Sequence, residues 1–285
     1  MKRPSREPLM LNVASSEPPM AFKNRGSHTS GTGAAAYRAL IRSASSDPNI
    51  LGIILGGSRG AGRGTALSDY DVKIVVRDAV AGKYRRRFAR SPPGLDVRVQ
   101  SVSTFEQGAD RAPQTEGYGP AFAHIKVPID KTGRVAKVAR EKARIPKNRV
   151  RSYTAAQLDA YANEMLRSLQ NFRDGNPLAG HLEATRSLPY LFETLFGSEG
   201  RWAPYAKFLE WELRDFPLRN PPLPTEKLLR LVRRILRSGD VSSQRALYRA
   251  VERTFRRRGY SRVLDSWSPA QLRLLRRRGR SHRPH

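Results

Sequence analysis

The chain has 285 residues, long enough for one large domain or two of ordinary size, and 39% of them are hydrophobic. No apolar run reaches the roughly 18 residues of a membrane helix, and the N-terminus lacks a continuous apolar core, so neither a membrane span nor a secretory signal is expected. There are no cysteines, which excludes disulfides, thiolate catalysis and Cys-ligated zinc and fits a cytoplasmic protein; 53 Lys plus Arg against 25 Asp plus Glu leave a net charge of +28.

Such a charge attracts polyanions. The arginines are dispersed, however, and no basic stretch is interleaved with aromatics as in a base-stacking platform. Arginine-rich solvated faces account for most of the surplus, with a nucleotide or an acidic substrate for part of it. Nucleic acid stays open as a partner through the basic surface, and oligomeric state is not legible.

Residues 1–30 mix Pro, Ser, Gly and charge and read as a loosely ordered segment. "GTGAAAYRALIRSASSDP" carries Tyr37, Leu40 and Ile41 at helical spacing. "NILGIILGG" reads as a buried strand, "DYDVKIVV" as a second and "GLDVRVQSV" as a third. "HIKVPID" adds a fourth, with Pro128 marking an edge position. Residues 31–150 thus read as a small α/β unit.

Residues 151–268 have a helical period and read as an all-helical bundle. Thr154 and Gln157 suggest a capping box before Leu158, Tyr161, Met165, Leu169 and Phe172, and Gly175 ends that helix. In "LAGHLEATRSLPYLFETLFG", Leu182, Leu188, Leu191, Phe192 and Leu195 are expected inward, with a kink at Pro189. "PYAKFLEWELRDF", "TEKLLRLVRRILRSG" and "SSQRALYRAVERTFRRRG" follow as three more helices. Residues 269–285 read as a short capped helix running into a basic tail. The expected fold is α+β, a small mixed sheet with flanking helices followed by an all-α bundle.

Strand alternation puts Asp69, Asp71 and Lys73 on one face of the second strand, and Asp96, Arg98 and Gln100 on one face of the third. If the strands are neighbours, three carboxylates converge. Uncompensated, they would repel and raise one another's pKa values, and divalent cations resolve that conflict. The loop "GGSRGAGRG" gives them a partner: Gly56 and Gly57 allow close approach of a phosphate, Ser58 offers a hydroxyl, and Arg59 or Arg63 neutralises a triphosphate. No Walker A motif and no dinucleotide fingerprint in strand context is present.

Gly57-Ser58, ten residues, then Asp69-Tyr70-Asp71, with Asp96 on the next strand, resembles the signature of the DNA-polymerase-β-like nucleotidyltransferase superfamily. "DGNPLAGHLEATRSLPYLFETLF" and "GRWAPYAKFLEWEL" are similar to the helical domain of bacterial antibiotic (aminoglycoside and lincosamide) nucleotidyltransferase-like proteins. The resemblance implies transfer of a nucleoside monophosphate, AMP from ATP or the equivalent from another NTP, to a hydroxyl with release of pyrophosphate. It implies that Asp69 and Asp71 bind two Mg²⁺ (or Mn²⁺) ions, that Asp96 binds the one activating the acceptor, and that Gly57 and Ser58 hold the triphosphate. Similar sequences carry Pro-Tyr-x-Lys where this chain has Tyr205 and Lys207. Lys207 then reaches the triphosphate across a cleft, or is a surface lysine beside a core tyrosine.

A small hydroxylated acceptor is the leading expectation, antibiotic modification included, although cationic aminoglycosides suit a +28 chain poorly. RNA or protein as acceptor, and a non-catalytic binding role on the same fold, are the alternatives. Lys73 is read as balancing Asp69 and Asp71, and His124 as structural. Candidates for the general base are Glu106, Glu116, Glu164 and, foremost because it interrupts an apolar helix face, Glu193.

Overall fold

The computed structural model describes residues 30–107 and 119–276. In chain order, α1 (Ser30–Ser46) leads into β1 (Ile50–Leu55), the short α2 (Gly57–Gly60) and β2 (Tyr70–Val76). Then come α3 (Ala81–Arg87), β3 (Leu95–Ser101), α4 (Val102–Gln107), β4 (Lys126–Asp130) and α5 (Arg134–Lys142). The helical half contains α6 (Val150–Arg173), α7 (Pro177–Gly197), α8 (Leu209–Asp215), α9 (Thr225–Ser238), α10 (Val241–Arg257), α11 (Ser261–Leu264) and α12 (Pro269–Arg276).

The fold class is the expected one, α+β with a helical second unit. The four strands lie in the order β3-β2-β1-β4. β1 pairs antiparallel with β2 and β4, while β2 and β3 run parallel. β4 is an edge strand, as Pro128 requires.

The alternation read from β2 and β3 divides the sheet into two faces. Val72, Ile74 and Val76, with Leu95 and Val97, pack against α1 and α3 around Leu40, Ala44 and Tyr84. Burial of each such side chain is worth about 1.5–3 kcal/mol. The opposite face carries Asp71 and Lys73 and then Val75, which lies under Phe105, Phe122, Val135 and Ala139. So α4 and α5 cover only the far end of that face, and the end bearing the acids opens into a cleft.

In the helical half, Leu158, Tyr161, Met165 and Leu169 of α6 pack against Leu188, Leu191, Leu195 and Phe196 of α7, with Val232, Leu247 and Phe255 completing the core. Glu183 of α7 pairs with Arg167 of α6 at 2.9 Å and shares Arg186 with Glu164. Burial and the neighbouring Glu183 raise the pKa of Glu164.

Three expectations are corrected. Thr154 is not a cap: α6 starts at Val150, where the carbonyl of Pro146 accepts the amides of Arg149 and Val150, and Thr154 is fully buried inside the helix. Leu182 is 59% exposed, because α7 buries Ala184, Leu188, Leu191 and Leu195, and position 182 lies about 200° around the helix from 184. The helical unit also extends to Arg276. Ser268 and Gln271 cap α12 reciprocally, Leu275 is fully buried, and Arg276 hydrogen-bonds Glu252. The segment 1–29 and the tail beyond 276 lie outside the described residues. Among the described residues, no helix is long and apolar enough to cross a membrane.

The two units are joined beside the open end of the sheet. Ile145 N donates to Gly200 O, and Trp202 Nε1 donates to Lys142 O. His124, just ahead of β4, lies 2.5 Å from Glu212 of α8 and packs between the rings of Trp211 and Phe216. Its role is structural, as expected. Glu212 also accepts from Arg201 at 2.6 Å.

Candidate active site

The parallel register pairs Asp71 with Asp96 and, two residues on, Lys73 with Arg98. Same-face residues on neighbouring strands stand side by side, so this register brings Asp71 beside Asp96, two of the three expected acids. Asp69 falls one residue before β2 and is exposed. Its charge still acts on Asp71. Partial loss of hydration raises the pKa of Asp71, and repulsion from Asp69 and Asp96 raises it further, while Lys207 and Arg98 pull it back.

Asp71, Lys73, Asp96 and Arg98 line a cleft of about 460 Å³ between the sheet and the segment 205–208 that leads into α8. Gly57, Asp71 and Asp96 form one wall, and Tyr205 and Lys207 form the other. Phe122 and Phe208 supply its aromatic lining.

Gly57 packs directly against Asp71. Its φ is +57°, and a Cβ there would lie 1.7 Å from Asp71 Oδ2. Both conditions demand glycine. The amide of Gly56 donates to Asp71 O at 2.8 Å, which seats the loop on the strand. Gly60 turns the chain so closely that a Cβ would meet Leu55 O at 2.4 Å. The loop is therefore built against the acid-bearing end of β2 by its own backbone.

Lys207 crosses from the helical unit to this loop, with Nζ 3.3 Å from Ser58 Oγ. Of the two readings of Lys207, the one reaching across the cleft matches its position. Tyr205 is half exposed at the cleft wall and is not a core residue.

Arg59 behaves differently from the expectation. Its guanidinium donates to Ser68 O at 2.8 Å and Thr65 O at 3.1 Å, and it stacks 4.2 Å from the centre of the Tyr70 ring. It holds the 60–69 loop and does not line the cleft. Arg63 lies 5.2 Å over the Trp211 ring, so the loop's second arginine also contacts protein.

Glu193 is likewise corrected. Tyr153 Oη donates to it at 2.5 Å and the Ala203 amide at 3.4 Å, which ties α6 and α7 to the segment after Gly200. Burial raises its pKa, and it is not part of the cleft lining. Glu106 pairs with Arg134 at 2.9 Å, and Glu164 belongs to the α6–α7 interface. Glu116 lies outside the described residues.

Counter-charge at Asp71 comes from Lys207 and Arg98, while Lys73 stands two residues along the same strand face. Its ammonium lies 4.9 Å from the Phe122 ring. Burial lowers its pKa to about 8, and Lys142 and Arg98 repel it in the same direction. Arg98 and Lys142 had no role assigned from sequence. Arg98 shares its face parity with Asp96, which was signal enough. Lys142 sits at i+7 on the apolar stripe Val135, Val138 and Ala139 of α5, a pattern masked by the charge of that helix.

Among the described residues, no three Asp, Glu or His side chains converge closely enough to hold a metal by themselves. The cleft nevertheless offers hard carboxylate oxygens from Asp71 and Asp96, with Asp69 nearby, beside Gly56 and Gly57 of the loop, whose Ser58 meets the cleft residue Lys207. That donor set fits Mg²⁺, which commonly takes one or two protein carboxylates and completes its shell with water and substrate phosphate.

No protein-family model and no curated protein matches this sequence. Among solved structures, a nucleotidyltransferase-like protein from Exiguobacterium sibiricum 255-15 is similar over 78% of this chain and 79% of its own, at 11% identity and a TM-score of 0.39. At that distance the neighbour assigns nothing to individual residues of this chain.

Proposed function

We propose that this protein is a nucleotidyltransferase of the DNA-polymerase-β-like type. It moves a nucleoside monophosphate from ATP or another NTP onto a hydroxyl of a small acceptor and releases pyrophosphate. One observation carries the reading: the Asp71–Asp96 pair opens onto the cleft where Gly57 packs on the Asp71 carboxylate and Lys207 meets Ser58.

In this reading Ser58, the loop backbone and Lys207 hold the β- and γ-phosphates, which brings the α-phosphorus over the acids. Asp71 and Asp96, with Asp69 nearby, would hold Mg²⁺, which when bound would offset carboxylate and phosphate charge and polarise the reacting oxygens. The acceptor oxygen forms a bond to the α-phosphorus as the bond from that phosphorus to the α,β-bridging oxygen breaks. Pyrophosphate leaves with the electron pair, and the hydroxyl proton is taken up at Asp96.

The test is incubation with α-labelled NTPs, Mg²⁺ and panels of small hydroxylated compounds, RNA and protein. Label on a small acceptor with release of pyrophosphate is the expected result. Absence of transfer, of pyrophosphate release and of Mg²⁺-dependent NTP binding would sink the enzyme reading.

A further inference from the structure

Past the acids, the cleft changes sign. Lys73 and Arg98 are cross-strand partners one step further along β2 and β3, and both line the cleft. Alternate residues of a strand are about 6.5–7 Å apart, so this basic pair lies close behind the acidic pair. It stands on the side away from Gly57 and Ser58, which join β2 at the level of Asp71. Lys142 adds a third cation, 5.1 Å from the Phe105 ring and 5.9 Å from the Phe122 ring that Lys73 also faces.

Lys73 needs an explanation. It is partly buried, and among the described residues its ammonium has an aromatic face but no hydrogen bond or ion pair. A partly buried ammonium without a counter-charge costs stability unless an anion joins it. The acids lining the cleft are Asp71 and Asp96, and the proposed function commits both.

We propose that the Lys73–Arg98 end of the cleft is a subsite for an anionic group, a phosphate or a carboxylate, carried by the hydroxylated acceptor. The inference rests on the nucleotidyl-transfer reading and names its substrate class. In-line displacement supplies the direction. Pyrophosphate departs toward Ser58 and Lys207, so the attacking hydroxyl arrives from the opposite side, where Lys73 and Arg98 wait. An acceptor anchored there by its own negative charge presents its hydroxyl across the acids.

Two measurements test this. In the first, wild type, Lys73→Met and Arg98→Gln transfer label from α-labelled ATP to glycerol 3-phosphate, glycerate, glycerol, an aminated polyol and a short RNA. Methionine keeps the buried stem of Lys73 while removing its charge. The anionic small acceptors are expected to exceed glycerol at least tenfold in kcat/KM, and their ranking tells phosphate from carboxylate. Each substitution is expected to raise KM for the anionic acceptor about tenfold or more, the loss expected for one charge-assisted contact, with ATP affinity within about threefold. Equal use of neutral or cationic acceptors, preferential labelling of RNA, or equal weakening of ATP and acceptor would overturn the subsite.

The second measurement needs no turnover. Metal-free protein is titrated with glycerol 3-phosphate and with glycerate. Binding should weaken about tenfold or more in Lys73→Met and persist in Asp71→Asn, which abolishes the proposed chemistry. Binding that is absent, or equal in Lys73→Met, overturns the subsite whatever the enzyme does. ATP transfer without anion preference refutes the subsite alone, whereas anion binding without any NTP binding refutes the nucleotidyl-transfer reading.

Discussion

A methyl group on Gly57 would lie 1.7 Å from the carboxylate oxygen of Asp71. The loop and the acid occupy one another's space, so neither can be altered alone. Gly57→Ala would also place alanine at φ +57°, a conformation costing roughly 1–2 kcal/mol for a residue with a Cβ. The expected outcome is a modest fall in Tm together with a loss of Mg²⁺-dependent NTP binding far larger than the stability change explains. Thermal denaturation and NTP titration of the same preparation check it; binding within threefold of wild type would separate the loop from the site.

Asp71→Asn should trade stability against function. Partial loss of hydration and the neighbouring acids raise the folded-state pKa of Asp71 above its ordinary value. The folded protein therefore holds that proton more tightly than the unfolded chain, and stability falls as pH rises through this window. At pH 7 the ionised carboxylate opposes folding, so Asp71→Asn should raise the Tm of the metal-free protein. Loss of the carboxylate should also lower transfer about 10³-fold or more, the scale of metal-assisted charge stabilisation. Mg²⁺ with NTP should then stabilise wild type but not the variant.

Lys207→Met removes the cation that spans the cleft to Ser58. A charge-assisted hydrogen bond to phosphate is worth about 1.5–3 kcal/mol, so NTP affinity should fall about 10–100-fold. Lys207 is exposed, and the Tm without ligand should hardly move. Unchanged NTP affinity would return Lys207 to the surface.

Tyr153→Phe and Glu193→Gln separate a structural acid from a catalytic one. Tyr153 donates to the half-buried Glu193, and Tyr153→Phe leaves that carboxylate with only the Ala203 amide. The cost should be about 1–3 kcal/mol of stability, read by denaturant titration. Glu193→Gln should keep kcat within a few-fold and preserve the shape of the pH–rate profile. Loss of one limb of that profile would restore Glu193 as the base.

The buried lysines give the stability curve a recognisable slope. Burial lowers the pKa of Lys142 from 10.5 to about 8, and Lys73 shifts likewise. Between those limits the unfolded chain binds more protons than the folded one, so stability rises with pH from about 8 toward 10.5 and is lowest below the window. Lys142→Met should raise the Tm at pH 7 and flatten the rise, a difference that cancels the general effect of the positive surface. An unchanged slope would show that Lys142 is hydrated when folded.

Much of this was legible in the sequence because it depends on local geometry. Alternation in "DYDVKIVV" and "GLDVRVQSV" determined which side chains share a face, since successive residues of any strand point in opposite directions. Glycine at 57 marked a backbone position that a side chain would spoil, and Pro128 marked an edge. The apolar period of α6 likewise marked the face that is buried.

Tertiary structure decided the rest. Parallel pairing of β2 with β3 set Asp71 opposite Asp96 and Lys73 opposite Arg98, a register that alternation leaves free. Packing brought Lys207 to Ser58, 149 residues away. It also turned Arg59 onto carbonyls of its own loop and gave Glu193 to Tyr153. Residue type announces what a side chain can do. Which partner it meets is settled by long-range contacts, and here those contacts removed an arginine and a glutamate from the expected site and put a lysine and an arginine behind its acids.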